Sequence, residues 1–276
     1  MNTDTPITLD SWLHNCGLPR LEARMLLQQV LDISHGYIIA HGQQLIGSSD
    51  QTRLNQLAQR RLAGEPLAYL LGWREFYSRR FQVTEAVLIP RPETEHLVDA
   101  VLAHLPEHGV VWDLGTGSGA IAITVACERP DAQVWAADIS TEALAVARTN
   151  AAALQADVSF GQGSWYQAQP QPAVNSVDVI VSNPPYIAVH DQHLQQGDLR
   201  FEPQHALTDN YNGLTAFQTI ITGAAHFLRP DGWLLLEHGF DQGETIRTML
   251  AQNNFSQIYT QPDLAGLERV TLGQRK

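Results

Sequence analysis

Apolar positions along the chain change period twice. From residue 1 to 72 they recur at three- and four-residue intervals and predict short helices without strands. Asp10 stands where it can cap a helix that stops at Gly17, and Pro19 starts a second through Leu21, Met25, Leu26, Val30 and Leu31. A third, over Gln51–Ala63, is expected to begin at a Ser48-Ser49-Asp50 cap and to end at Gly64, with Leu54, Leu57, Ala58 and Leu62 on one face. Residues 1–72 therefore read as a small helical domain.

Between Trp73 and Ile89 the period drops to two. Glu75-Phe-Tyr-Ser and Arg80-Phe-Gln-Val predict a β-hairpin, making 73–90 a linker. Ile89-Pro-Arg-Pro-Glu-Thr-Glu95 then opens a helix running to about Leu105, with Pro92 in its first turn and Glu93 and Glu95 at its positive end. Beyond it strands and helices alternate. Strands are predicted at Val110–Leu114, Gln133–Asp138, Val158–Phe160, Val177–Ser182, Trp233–Glu237, Phe255–Thr260 and Glu268–Leu272. Helices are predicted at Ala120–Glu128, Thr141–Ala153, Leu214–Phe227 and Gly243–Gln252. Apolar strands alternating with helices imply an α/β domain over 91–276, a mostly parallel seven-stranded sheet covered on both faces. Ligands on such sheets sit beyond the carboxyl ends of the strands.

Composition narrows the class. No apolar run approaches the ~18 residues that span a bilayer. Met1 to Asp10 lacks a basic stretch followed by an apolar one, so no secretory signal is expected. Cys16 and Cys127 lie far apart with no CxxC spacing; they read as buried thiols in a reducing cytosol, with no metal site. The expectation is a cytoplasmic protein without a membrane partner.

The charge of −12 is unevenly spread. Residues 1–85 hold 8 Lys+Arg and 8 Asp+Glu, while residues 86–276 hold 9 and 21 and carry the whole imbalance. Binding to duplex nucleic acid draws on neutralised phosphates, so the acidic C-terminal part argues against it. Arg53, Arg60, Arg61, Arg74, Arg79 and Arg80 could meet an acidic partner, but a solvated helix face explains them better.

Two loops carry the chemistry. Asp113-Leu-Gly115-Thr116-Gly117-Ser118-Gly119 joins a strand to a helix, and its glycines let a ligand lie against bare backbone. With Ala120 the loop also fits the relaxed dinucleotide fingerprint, and Asp138 at the next strand end could serve the ribose of any adenosine cofactor. Asp113 tilts the reading from a pyrophosphate, which wants positive surroundings, toward a ligand with an ammonium and a sulfonium.

The second loop, Ser182-Asn183-Pro184-Pro185-Tyr186, follows the fourth strand. Its prolines fix φ and remove two donors, leaving a stiff frame of acceptors. An amide nitrogen is a poor nucleophile because its lone pair is delocalised. The Asn183 side-chain oxygen and the Pro184 carbonyl could accept from both of its N–H groups, orient it, and stabilise the charge that develops on methylation. Tyr186 could lie over the flat amide. No strong base is required.

With both loops placed, the chain resembles the N5-glutamine methyltransferases that modify peptide-chain release factors (the HemK/PrmC family). The likeness covers Glu65-Pro-Leu-Ala-Tyr-Leu-Leu-Gly-Trp-Arg-Glu-Phe-Tyr77, Ile89–Glu95, both loops, His193-Leu-Gln-Gln-Gly-Asp-Leu-Arg-Phe-Glu-Pro203, Leu234-Leu-Leu-Glu-His-Gly239 and Glu268-Arg-Val-Thr-Leu272. It implies a Rossmann-like class I S-adenosylmethionine-dependent methyltransferase domain, preceded by helices that help dock the factor. The implied substrate is the glutamine of the Gly-Gly-Gln loop in class 1 release factors. By the family pattern Gly115, Thr116, Gly117, Ser118, Gly119, Asp138, Trp165 and Asn183 contact S-adenosyl-L-methionine, and Asn183, Pro184, Pro185 and Tyr186 hold the glutamine. Ser118 stands where many relatives carry Thr.

Arg91 and Glu93 could close over the cofactor, His238 reads as structural, and 193–203 reads as a lid or substrate-facing loop. The rivals are a glutamine methyltransferase acting on a ribosomal protein, an adenine-N6 or guanine-N2 nucleic-acid methyltransferase, a NAD-linked oxidoreductase and a non-catalytic adenosine-binding module. The acidic catalytic part opposes the nucleic-acid enzyme. The Asn-Pro-Pro-Tyr loop has no role in the oxidoreductase or the module.

Overall fold

A computed structural model describes residues 7–276, so part of the expectation for Met1–Asp10 lies outside the described residues. The chain forms two compact units, Met1–Trp73 and Arg74–Lys276.

The first unit consists of α1 (Leu9–Asn15), α2 (Arg20–Leu31), α3 (His35–Ala40), α4 (Ser48–Leu62) and α5 (Leu67–Leu71). Trp12, Leu26, Leu27 and Leu54 meet in its core. Each such side chain contributes about 1.5–3 kcal/mol by leaving water. Asp10 is not the cap of α1. Thr8 is, its Oγ1 accepting from the Ser11 amide at 3.2 Å, while Asp10 sits in the first turn. Ser48, Ser49 and Asp50 are likewise the first turn of α4 rather than its cap, which is Gly47. α3 and α5 were not foreseen; six and five residues are too few for a helical period to register. Arg60 and Arg61 are engaged by Glu65 and Glu22, which fits the bland reading of the basic cluster.

The hairpin comes next: β1 (Trp73–Phe76) and β2 (Arg79–Gln82). Tyr77 and Ser78 turn it with φ of 50° and 59°, the conformation that matches strand twist in a two-residue turn. Glu95 accepts from the Tyr77 amide at 2.7 Å. That carboxylate lies in the first turn of α6 (Thr94–His104). Pro92 lies before this helix and not in its first turn, because the segment enters through a tighter turn in which the Thr94 and Glu95 amides bond three residues back, to the Arg91 and Pro92 carbonyls at 3.1 Å.

The large sheet follows as β3 (Val110–Leu114), α7 (Ala120–Glu128), β4 (Gln133–Asp138), α8 (Thr141–Leu154), β5 (Val158–Gln162), β6 (Val177–Ser182), α9 (Gln204–Leu207), α10 (Thr215–Phe227), β7 (Leu228–Glu237), α11 (Gly243–Gln252), β8 (Phe255–Pro262) and β9 (Glu268–Arg275). The strand order is β5-β4-β3-β6-β7-β9-β8, parallel except for β9, which runs antiparallel to both neighbours. This is the expected seven-stranded α/β sheet. Period-two alternation splits the strands between two cores. Val111, Val134, Val179 and Leu235 face α6, α7 and α8, whereas Trp112, Ile180, Leu234 and Leu236 face α10 and α11. Strand order reverses between β3 and β6, which opens a crevice at their carboxyl ends. Cys16 and Cys127 are free but only half-buried. No helix among the described residues is long and apolar enough to cross a membrane.

Candidate active site

The glycine loop leaves β3 at Leu114. Gly115 and Thr116 both donate to the Ala137 carbonyl, at 2.8 and 2.9 Å, stapling the loop to β4. Asp138, at the end of β4, accepts from the Gly117 amide through Oδ2 and the Ser140 amide through Oδ1, each at 2.9 Å. Each carboxylate oxygen keeps a further lone pair. The three glycines have separate reasons. A Cβ on Gly119 would lie 2.5 Å from Ile123 Cδ1, and one on Gly115 would lie 3.3 Å from the Trp165 ring. A Cβ on Gly117 would meet nothing within 4 Å, so that position guards open space.

The open space is a cavity of about 190 Å³. Of the residues predicted to bind a cofactor, Gly115, Thr116, Gly117, Ser118, Asp138, Trp165 and Asn183 line it; Gly119 does not. Trp165 begins a 3-10 turn after β5 with φ of 49°, which aims it at the loop while its neighbour Tyr166 packs on Trp112 and Phe227. A carboxylate at a strand end, bare glycine backbone and the exposed apolar Ile139 together suit an adenosine-bearing ligand. Ile139, Val87, Pro90 and His205 also line the cavity and were missed; Ile139 follows Asp138 directly and carried no signal beyond that.

Asp113 is not placed as expected. It is buried beneath the loop, off the cavity, and takes the Thr116 hydroxyl at 2.6 Å. Burial pushes its carboxyl up to about 7, against the pull of that hydroxyl.

The acceptor loop begins where the Ser182 hydroxyl donates to the Leu114 carbonyl at 2.6 Å, tying the ends of β6 and β3 together. Asn183 then lines the cavity with its Nδ2 turned away. That nitrogen donates to Glu237 Oε1 at 2.8 Å and to Thr94 Oγ1 at 3.2 Å. Oδ1 of Asn183 accepts from no described residue. Pro185 reaches the cavity, Pro184 is buried, and Tyr186 packs against the α10–α11 core instead of lining the cavity. Burial, helped by the Glu237 charge, pushes the Tyr186 hydroxyl up and keeps it neutral.

The family model described as the Methyltransferase small domain matches residues 93–200, and that of the PrmC N-terminal domain matches 13–72. The release factor glutamine methyltransferase of Neisseria gonorrhoeae is 58% identical to the chain over 97% of it and 98% of the relative. The chain belongs to the release factor glutamine methyltransferase family. The relative of the same name from Bordetella pertussis is 50% identical over 96% of the chain and 98% of its own length. A solved methyltransferase from Pyrococcus furiosus shares the fold, with TM-score 0.54 and 18% identity over 83% of this chain and 98% of that one.

In this family member two further groups stand at the carboxyl end of β7, behind the cavity lining. Glu237 is buried, its carboxyl pushed up to about 7 chiefly by desolvation. His238 is held by Thr271 Oγ1 at 2.7 Å and the Gly239 carbonyl at 2.8 Å, with burial pulling it below its ordinary value, as a structural histidine. The segment expected as a lid, 193–203, is folded into two 3-10 turns, Gln192–Gln195 and Gly197–Phe201. It is anchored where Arg91, on the cavity wall, binds Glu202.

Proposed function

We propose that the protein methylates the side-chain amide nitrogen of the glutamine in the Gly-Gly-Gln motif of class 1 release factors. The observation that carries this reading is the Asn183 carboxamide, whose donor end is committed to Glu237 and Thr94 while its acceptor end is left for a ligand. An acceptor suits an amide nitrogen, whose protons are surrendered only after the methyl is gained, so the chemistry asks for no base.

S-adenosyl-L-methionine, when bound, supplies a methyl carbon activated on a sulfonium. Gly115, Thr116, Gly117, Ser118, Asp138 and Trp165 are the residues that would hold it. Asp138 offers its spare lone pairs to hydroxyls, and Gly117 allows close approach. Asn183 Oδ1 and the Pro184 carbonyl would take the two N–H groups of the glutamine, with Tyr186 stiffening the loop from beneath. The methyl would go to the glutamine nitrogen, with the S–C electron pair left on sulfur and the spare proton passed to water. The helices of 1–72 would dock the factor. That both relatives are release factor glutamine methyltransferases supports the same substrate.

The test uses labelled S-adenosylmethionine with release factor, with the same factor carrying Gln→Ala in its Gly-Gly-Gln loop, and with DNA. Label on intact factor alone is expected. Label on DNA, or equal label on both factors, overturns the reading.

A further inference from the structure

The orientation of Asn183 has a second cause besides its own loop. A carboxamide has a donor end and an acceptor end of nearly the same shape, so a site that needs the acceptor must decide which end faces the ligand. Pro184 and Pro185 bring no N–H to the task. The decision falls to β7. Parallel register pairs Ser182 with Leu236, which sets Asn183 and Glu237, the next residue of each chain segment, side by side at the strand ends. Glu237 Oε1 takes an Asn183 N–H at 2.8 Å; turned over, Asn183 Oδ1 would face that carboxylate as acceptor against acceptor. Thr94, first residue of α6, accepts from the same Nδ2 at 3.2 Å.

Glu237 is an expensive residue for this place. It is 2% exposed, and its second oxygen has no hydrogen-bond partner among the described residues. A buried carboxylate with an unpaired oxygen is rare in folded proteins and is seldom the most stable choice. A role in holding the acceptor loop accounts for it.

We propose that Glu237 is a positioning residue: it holds the Asn183 carboxamide with Oδ1 toward the substrate nitrogen, without touching substrate itself. The proposal rests on the function given above and extends it from the loop to the neighbouring strand.

Four variants test it: Glu237→Gln, which keeps an acceptor oxygen, Glu237→Leu, which does not, Asn183→Asp, and the double Asn183→Asp/Glu237→Gln. Misplacing a positioning group costs on the order of 100-fold, so Glu237→Leu should lower kcat by about that factor and Glu237→Gln by less than about tenfold. Asn183→Asp sets two carboxylates against each other and should be nearly inactive. In the double variant the new amide can donate to the new carboxylate, again leaving an oxygen for the substrate, and activity should recover at least about tenfold over Asn183→Asp alone. A merely structural role predicts no such recovery.

Exchange of the Asn183 side-chain NH2 protons, followed by NMR, reads the clamp without turnover. It should be slow in the unsubstituted protein and at least about tenfold faster in Glu237→Leu. If no label reaches the release factor even from the unsubstituted enzyme, the function reading fails, yet the exchange rates still decide the clamp. Wild-type kcat in a folded Glu237→Leu, a double variant no better than Asn183→Asp, or unprotected Asn183 protons would each overturn the proposal. If Glu237→Leu fails to fold, the double variant and the protection in the unsubstituted chain decide it.

Discussion

Arg91 grips Glu202 with a single guanidinium nitrogen, Nη2, at 2.6 and 2.8 Å from the two carboxylate oxygens. The Glu202 side chain is wholly buried, while that of Arg91 keeps 29% exposure. The pair joins the proline-flanked segment before α6 to the 3-10 turns before α9, and so holds two walls of the cavity. Burial raises the Glu202 carboxyl, and Arg91 restrains the rise.

Arg91→Met should therefore strand a buried acid. Breaking buried pairs costs about 3–5 kcal/mol, and partial exposure of Arg91 reduces the expectation here to about 1–3 kcal/mol. The loss should be larger at pH 8 than at pH 5, where Glu202 can take a proton. Arg91→Met/Glu202→Leu should regain most of it. Urea unfolding of the four proteins in a double-mutant cycle checks this, and additive losses would refute the coupling.

Gly117 and Gly119 should respond differently to the same substitution. Both have positive φ, 56° and 83°, where alanine costs about 1–2 kcal/mol. Gly119→Ala also drives a methyl into Ile123 and toward Ala147, so it should lose clearly more stability. Gly117→Ala meets no protein atom and should remain folded, yet bind S-adenosylhomocysteine far more weakly. Calorimetric titration beside thermal unfolding separates the two; equal unfolding losses would contradict the assignment.

Removal of Asp138 tests the other half of the cradle. Asp138→Ala frees the Gly117 and Ser140 amides, two hydrogen bonds to a charged acceptor. Such bonds contribute about 1.5–3 kcal/mol each, so cofactor affinity should drop by at least about tenfold as the loop loosens and the hydroxyl acceptor disappears. Unchanged affinity by calorimetry would remove Asp138 from the site.

Two buried acids give the stability a pH slope. Asp113 and Glu237 rise from ordinary values of 3.8 and 4.5 to about 7, each chiefly through burial. Between those limits the folded chain keeps protons that the unfolded chain has released, so stability falls as pH rises from about 4 to about 7 and levels above that. Asp113→Asn keeps an acceptor for the Thr116 hydroxyl and should flatten the slope by about 2–4 kcal/mol between pH 4 and 8. Urea unfolding across that range decides it, and an unchanged slope would exclude Asp113 as a source.

The sheet, its seven strands and the two chemical loops were legible in the chain because they depend on local signals. Period-two apolar runs define strands, glycines at 115, 117 and 119 announce a turn with positive φ, and consecutive prolines at 184 and 185 announce a rigid one. Capping at Thr8 and Gly47, and the short α3 and α5, escaped because neighbouring polar residues compete for one cap and short helices leave no period. What surrounds each loop could not be read that way. Asp113 faces inward, Trp165 lines the cavity and Tyr186 turns toward the core, although all three lie at or just past strand ends.

The chain by itself determined that a stiff acceptor would stand opposite a bare glycine turn, since backbone freedom is encoded residue by residue. Which end of Asn183 faces the cavity was decided only in three dimensions. It depends on Glu237 and Thr94, 54 and 89 residues away, which strand register and helix packing bring within hydrogen-bond reach.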